Sequence, residues 1–246
     1  MLKALDLDKF ISNMEKKLLT NNEFSLRAAS MLWANYSYFS HYAELEIKNK
    51  VKYEGEEYLL DLPEKNVMFV SNHQTYIMDA AAIYRKLILC KGKNIFNPRL
   101  NIGCLIAKET LETLSYAKLL EMAGCIPIKR SWRAGEGEAD RGMDVMAIKK
   151  TIKCLKEGWL INFPTGTTDP EAEIRPGTAS YIKKMKPVVV PVHLTGFREC
   201  FGKKGTKSLH DHPSELTVTF KEPLQIDHTD PPEVINAQIS CSIKNI

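Results

Sequence analysis

Short apolar runs alternate along this chain with segments whose apolar residues recur at helical spacing. The runs are rich in Val, Ile, Leu and Phe and are bounded by polar or turn-forming residues, as buried strands are. They cover residues 66–70, 100–107, 125–130, 159–164 and 188–194. The periodic segments between them predict helices over residues 79–87, 111–122, 140–157 and 177–185. This alternation predicts an α/β fold with a mainly parallel central sheet flanked by helices.

The segment before this alternation has a different pattern. Residues 1–45 predict a pair of helical pieces separated near residues 20–22, and the second piece is unusually rich in aromatic residues. Aromatic residues combined with lysines can place a helix in the headgroup layer of a membrane, and the alternative is a helix pair packed on the main domain. We predict a membrane-interfacial helical segment over 1–45 and one larger domain over 46–246, which begins with a short hairpin at 51–60.

Composition narrows the class of protein. A length of 246 residues is enough for one sizeable core, and a net charge of +4 gives no footprint for a nucleic-acid partner. No run approaches the roughly 20 apolar residues that span a bilayer, so any membrane contact is expected to be peripheral. The six cysteines occur singly and without a signal peptide, which predicts reduced thiols in a cytoplasmic protein. Cys104, Cys125 and Cys154 lie in apolar surroundings and are expected to be unreactive packing residues.

The main candidate for chemistry lies where the first long strand passes into the first long helix. His73 falls in this loop, and Asp79 falls in the first turn of the helix. Unpaired N–H groups at a helix start favour a carboxylate there. If the carboxylate reaches the imidazole, it fixes the tautomer and stabilises the imidazolium that forms when the other nitrogen takes a proton, which makes a general-base dyad. The alternative is a His and an Asp that only cap the loop.

The predicted sheet brings several loops to one edge. In a parallel sheet, loops at the carboxyl ends of the strands form the ligand crevice. The loops after Asn72, Ile128, Phe163 and Leu194 would all open there. His193 lies inside the last of these strands and is expected to be a core histidine with a hydrogen-bond partner, not a second base.

Four segments of the sequence follow a known pattern. They are Asn72-His73-Gln74-Thr75 with Asp79, which resembles N-H-x-S-x-x-D; Gly124-Cys125-Ile126-Pro127-Ile128-Lys129-Arg130, a strand ending in basic residues; Phe163-Pro164-Thr165-Gly166-Thr167-Thr168, which resembles F-P-E-G-T-R; and Val189-Val190-Pro191-Val192, a final strand. Together and in this order they resemble the glycerolipid acyltransferase family, typified by bacterial 1-acyl-glycerol-3-phosphate acyltransferase. The resemblance covers roughly residues 50–225.

The resemblance implies an O-acyltransferase reaction. His73 would take the proton from an acceptor hydroxyl, which attacks the thioester carbonyl of an acyl donor, and Asp79 would orient His73. The turn formed by Thr165, Gly166 and Thr167 would receive the acceptor or the developing oxyanion on its backbone N–H groups.

The resemblance also implies a set of phosphate ligands. Arg130 suits a phosphate because its guanidinium fork can hold two oxygens at once, and Lys129 would share that work. Arg175 begins an Arg-Pro-Gly sequence at the position of the family's basic-glycine turn, and it could substitute for the Arg that the family has where this chain has Thr168.

The chain departs from the family pattern in three places. Five residues instead of four separate His73 from Asp79, Thr165 replaces a Glu, and Thr168 replaces an Arg. Because a phosphate in a crevice needs charge-assisted partners, the lost Arg leaves three alternatives open. The acceptor is 1-acyl-glycerol-3-phosphate, or it is a lyso-aminolipid without a phosphate, or the chain is a non-catalytic lipid-binding protein on the same fold.

The remaining expectations concern partners and location. The resemblance implies no metal or other cofactor, with acyl-CoA or an acyl carrier protein thioester as co-substrate and a lysolipid as acceptor. It places the protein in phospholipid biosynthesis, in the cytoplasm and peripheral on the inner face of the cell membrane. A basic loop after the last strand, formed by Arg198, Lys203, Lys204 and Lys207, would meet the phosphates of coenzyme A or the acidic face of a carrier protein, or be only a solvated loop.

Overall fold

The computed structural model describes residues 43–94, 96–112, 117–122, 124–129 and 144–244. The predicted N-terminal helical pair lies almost entirely outside these residues. Arg130 and the loop that follows it also lie outside them.

The described residues form one sheet with helices on both sides. The strands are β1 (Lys52–Glu54), β2 (Val67–Ser71), β3 (Ile102–Ala107), β4 (Cys125–Ile128), β5 (Trp159–Asn162), β6 (Val188–Thr195) and β7 (Thr217–Phe220). The helices are α1 (Met78–Leu89), α2 (Lys108–Glu112), α3 (Ala117–Met122), α4 (Val145–Glu157), α5 (Pro176–Met185), α6 (Phe197–Phe201) and α7 (Pro232–Ile243). A short π-helix, Ala43–Lys48, precedes β1.

The sheet places β2 near its centre. The strand order in the described part of the chain is β1-β7-β6-β2-β5-β3-β4. Strands β6, β2, β5, β3 and β4 run parallel, whereas β7 is antiparallel to β6 and β1 follows the direction of β7. The mainly parallel α/β fold predicted from the sequence is therefore confirmed. The carboxyl end of β2 meets those of β5 and β6 at one edge.

Strand β2 supplies side chains to both layers of the core. Val67 and Phe69 face the layer that contains α1 and α6, and Met68 and Val70 face the layer that contains α4, α5 and α7. All four side chains are fully buried. Burying one such side chain stabilises a protein by about 1.5–3 kcal/mol, so this strand fixes the position of the loop that follows it.

The hairpin predicted at residues 51–60 is wrong. Strand β1 pairs in parallel with β7, and Glu56–Leu59 forms a 3-10 helix where the second hairpin strand was expected. The partner of β1 lies far along the chain, so the local alternation could not reveal it. The sequence pattern also missed β7 and α7. No helix in the described ranges is both long and apolar enough to cross a bilayer.

Candidate active site

The loop between β2 and α1 brings His73 and Asp79 together. His73 Nδ1 lies 2.9 Å from Asp79 Oδ2, with the carboxylate fully buried and the imidazole 16% exposed. An ionised carboxylate only accepts hydrogen bonds, so the proton of the neutral imidazole is on Nδ1. Nε2 then carries the lone pair, as a general base requires.

The extra residue between His73 and Asp79 is taken up by a bend at residues 75–77, directly before α1 begins at Met78. Thr75 and Asp79 cap each other across this bend. The Thr75 N–H donates to Asp79 Oδ1 (2.9 Å), and the Asp79 N–H donates to the Thr75 hydroxyl (3.2 Å). The Gln74 N–H donates to Asp79 Oδ2 (2.6 Å). The longer spacing therefore leaves the carboxylate within hydrogen-bond distance of the imidazole.

The two residues beside His73 attach the loop to the end of β6. Asn72 Nδ2 donates to the Leu194 carbonyl (2.9 Å), and its Oδ1 accepts from the Leu194 N–H (2.8 Å). Gln74 Nε2 donates to the same carbonyl (2.9 Å). Its Oε1 accepts from the N–H groups of Phe197 and Arg198 (2.9 and 3.2 Å). His73 is thus held between two side chains whose amides are bonded at both ends, a role that the sequence did not reveal.

An aromatic ring covers one face of the imidazole. Phe163, at the end of β5, stacks on His73 with ring centroids 4.2 Å apart and planes 25° apart. Phe163 is itself buried. The contact restricts rotation of the imidazole and excludes water from one of its faces. In the sequence Phe163 is only the first residue of the Phe-Pro-Thr-Gly motif, and no periodicity indicates its contact with His73.

The turn after β5 gathers four of the predicted site residues. Gly166 has φ +65°, a left-handed conformation that favours glycine, and its N–H donates to the Phe163 carbonyl (2.9 Å). The Thr165 hydroxyl donates to the Thr167 carbonyl (2.8 Å). Arg175 Nε donates to the Thr165 carbonyl (3.3 Å), which attaches the guanidinium to this turn. Because β5 is next to β2, the turn adjoins the His73 loop.

A second guanidinium reaches this turn from the other side. Arg198 Nη2 donates to the Thr168 carbonyl (2.9 Å). The Thr168 hydroxyl is buried, and within the described part of the chain it has no hydrogen-bond partner. Where the family pattern has an Arg in the turn, this chain has a Thr and receives Arg198 from helix α6, so Arg198 is not part of the loop predicted from the sequence.

Lys129 is farther from the dyad than the other described site residues. It follows β4, is exposed, and donates its backbone N–H to Asp144 Oδ2 (3.3 Å). Three strand spacings of about 4.8 Å separate β4 from β2, or roughly 14 Å across the sheet. The structure therefore does not place Lys129 beside His73, and Arg130 lies outside the described residues.

His193 is separate from the dyad. Its Nδ1 lies 2.7 Å from the Ile243 carbonyl, in contact with helix α7. This matches the expectation of a core histidine with a partner of its own.

The three cysteines expected to be packing residues have half-buried side chains: Cys104, Cys125 and Cys154. Burial, together with the neighbouring Cys125, raises the pKa of Cys104 well above its ordinary value. Burial also raises the pKa of Cys125 to about 12 and that of Cys154 to about 11. Since the thiolate is the reactive form of cysteine, these environments oppose nucleophilic chemistry and fit a packing role.

Thiol alkylation should therefore be selective. A pKa of about 12 leaves roughly one Cys125 thiol in ten thousand ionised near pH 8, whereas Cys241 is exposed to the reagent. We expect a neutral alkylating reagent to modify Cys241 long before Cys104, Cys125 or Cys154, as measured by peptide mass spectrometry. Modification of Cys125 as fast as Cys241 in the folded protein would contradict the burial described here.

The fold and the dyad define an α/β protein with a general-base pair at the carboxyl edge of its sheet. A family model described as Acyltransferase matches residues 50–195, more than half of the chain, and the chain therefore belongs to this acyltransferase family. The sequence-based resemblance is confirmed at this level, and the activity of the family is acyl transfer.

A solved structure shares the fold. The crystal structure of the 1-acyl-sn-glycerophosphate (LPA) acyltransferase, PlsC, from Thermotoga maritima matches with a TM-score of 0.63 and 16% sequence identity. The match covers 95% of this chain and 86% of that chain. No curated protein sequence matches the chain.

Proposed function

We propose that the protein transfers a fatty acyl group from a thioester to the hydroxyl of a lysolipid, with no acyl-enzyme intermediate. The observation that carries this proposal is the 2.9 Å contact from His73 Nδ1 to Asp79 Oδ2, which leaves the lone pair of the imidazole on Nε2. Nε2 takes the hydroxyl proton while the hydroxyl oxygen attacks the thioester carbonyl. When the carbon–sulfur bond breaks, the departing sulfur takes the proton from the imidazolium, so the products are an ester and a free thiol.

The turn after β5 is assigned to the reacting centre. The Gly166 N–H was expected to take part, but it already donates to the Phe163 carbonyl. Within this turn we therefore assign the role of holding the acceptor or the oxyanion to the backbone of Thr167. The stack of Phe163 on His73 supports acyl transfer over hydrolysis. Because Phe163 shields one face of the imidazole from water, attack by a bound hydroxyl is favoured.

For the acceptor we propose 1-acyl-glycerol-3-phosphate. Arg175 on the β5 turn is the cation best placed for its phosphate. The resemblance adds Arg130 and Lys129 as further ligands, but Lys129 follows β4, roughly 14 Å across the sheet from β2. The neutral side chains of Thr165 and Thr168 favour a second candidate, a lyso-aminolipid without a phosphate. The third candidate is a lipid-binding protein without activity.

The other assignments follow from the same proposal. The reaction needs no metal or organic cofactor, and its co-substrate is acyl-CoA or an acyl carrier protein thioester. The protein would act in phospholipid biosynthesis, in peripheral contact with the inner face of the cell membrane. The aromatic residues and lysines of residues 1–45 support that contact.

Acyl transfer from labelled thioesters to a panel of lysolipids tests the proposal. We expect transfer to lysophosphatidate, and we expect Arg175→Ala to raise its KM about 10-fold, the effect of one lost charge-assisted contact. The KM of an acceptor without a phosphate should not change. Lys184→Ala, an exposed change on the same helix, is the matched control.

The panel also separates the three candidates. Transfer confined to acceptors without a phosphate would identify the lyso-aminolipid class. Lipid binding without transfer from either thioester would identify a binding protein.

A further inference from the structure

The loop after β6 brings two lysines over an aromatic ring beside the dyad. The Tyr76 N–H donates to the Lys203 carbonyl (2.9 Å), which joins the loop to the bend before α1. Lys203 Nζ lies 5.8 Å from the centroid of the Tyr76 ring, and Lys204 Nζ lies 6.0 Å from it. Both lysines are exposed. Attraction to the ring favours these positions, so two positive charges lie around one aromatic side chain.

The lysines and the predicted acceptor turn follow the two strands that flank β2. Strand β2 stands between β6 and β5. The turn with Thr165 and Arg175 follows β5, and the lysines follow β6. Direct transfer requires the acceptor and the donor to reach His73 at the same time, so they must approach from different sides. If the β5 side holds the acceptor, the β6 side holds the donor.

We infer that Lys203 and Lys204, gathered over Tyr76, bind the phosphate of a pantetheine-type acyl donor. This inference rests on the proposed function. Two ammonium groups near one ring suit a phosphate because each acts as a point charge with several donors. Tyr76 is three residues from His73, a reach of at most about 10 Å of chain, so the lysines lie beside the dyad without occupying it.

The length of the donor agrees with this placement. In a glycerol acceptor the phosphate is only a few bonds from the reacting hydroxyl, so its ligands must lie next to His73. In a pantetheine donor the whole arm separates the thioester from its phosphate. A cationic site beyond the His73 loop therefore fits the donor better than the acceptor. Coenzyme A and the prosthetic group of a carrier protein share this phosphate.

Coenzyme A binding to the full chain provides the direct test. We expect Lys203→Ala with Lys204→Ala to weaken coenzyme A binding about 10–100-fold by calorimetry, since two charge-assisted contacts are lost. Binding of pantetheine, which has no phosphate, should be unchanged. The matched control is Lys149→Ala with Lys153→Ala, which removes the same charge from the exposed face of α4.

Kinetics then identifies the source of the phosphate. With the double variant, the KM of acyl-CoA or of the acyl carrier protein should rise, whichever is the donor, while that of acyl-N-acetylcysteamine stays constant. A rise only in the KM of lysophosphatidate would overturn the inference, because the lysines would then serve the acceptor. Loss only of binding to anionic phospholipid vesicles would overturn it as well.

The measurement of coenzyme A binding does not depend on catalysis. If coenzyme A binding needs both lysines but the wild type transfers no acyl group, the inference stands and the proposed function fails. If transfer occurs and coenzyme A binding and both donor KM values are unchanged in the double variant, the function stands and the inference fails.

Discussion

Replacement of His73 by alanine should lower the rate of acyl transfer at saturating substrate by about 10³-fold, within the range for loss of a general base. The reason is that no other described side chain beside the β5 turn offers a nitrogen lone pair oriented by a buried carboxylate. The fold should persist. The variant loses the stack on Phe163, worth about 1 kcal/mol, but Asp79 keeps its bonds from the N–H groups of Gln74 and Thr75. Turnover and thermal unfolding should be measured on the same preparation.

His193→Ala is the matched control for this variant. It removes an imidazole of similar burial, bonded to the Ile243 carbonyl on the α7 side of the sheet. We expect its transfer rate to remain near that of the wild type, with some loss of stability. If His73→Ala retained full transfer, the direct mechanism with His73 as base would be wrong.

Replacement of Asp79 by asparagine should lower the transfer rate by about 10²–10³-fold with nearly unchanged side-chain volume. The carboxylate accepts from His73 Nδ1 and from the N–H groups of Gln74 and Thr75. An amide presents two hydrogens at one of these positions, so donors face donors and the imidazole loses its orientation. Breaking buried bonds to a charged group should also lower the free energy of unfolding by about 2 kcal/mol.

The transfer rate of the fully folded variant separates orientation of the base from simple loss of structure. Without the carboxylate the imidazole loses the acceptor that fixes Nδ1, so the rate of Asp79→Asn should stay low at temperatures where the variant is completely folded. Asp227→Asn is the control, because it removes one negative charge from an exposed turn in which Asp227 accepts from Thr229. An Asp79→Asn variant with reduced stability but an unchanged rate would leave Asp79 with only a capping role.

The sequence predicts those parts of the fold that depend on local pattern. Strand β2 and helix α1 were placed within two residues because an apolar run and a run of good helix formers are adjacent along the chain. The predicted approach of Asp79 to His73 is likewise local, since the helix start that favours a carboxylate is only a few residues away.

Contacts between distant segments could not be predicted in this way. The pairing of β1 with β7, the bonds from Asn72 and Gln74 to Leu194, and the stack of Phe163 on His73 all depend on which strands become neighbours. Strand order is set by the packing of the whole sheet and leaves no periodic signature in any one segment. For the same reason the sequence showed that Thr168 replaces an Arg, but not that Arg198 reaches its carbonyl.

The order of strands also decides when the dyad loop can form during synthesis. Strand β5 lies between β2 and β3, although both are made before it, and the residue that anchors Asn72 follows it by 122 positions. A nascent chain that ends before β6 therefore has only β5 of the two parallel neighbours of β2, and it lacks the anchor of the His73 loop. Such long-range strand pairing forms slowly, and the edges of the unpaired strands remain exposed until it has formed. The His73 loop is thus completed only after β6, and so most of the chain, has been synthesised.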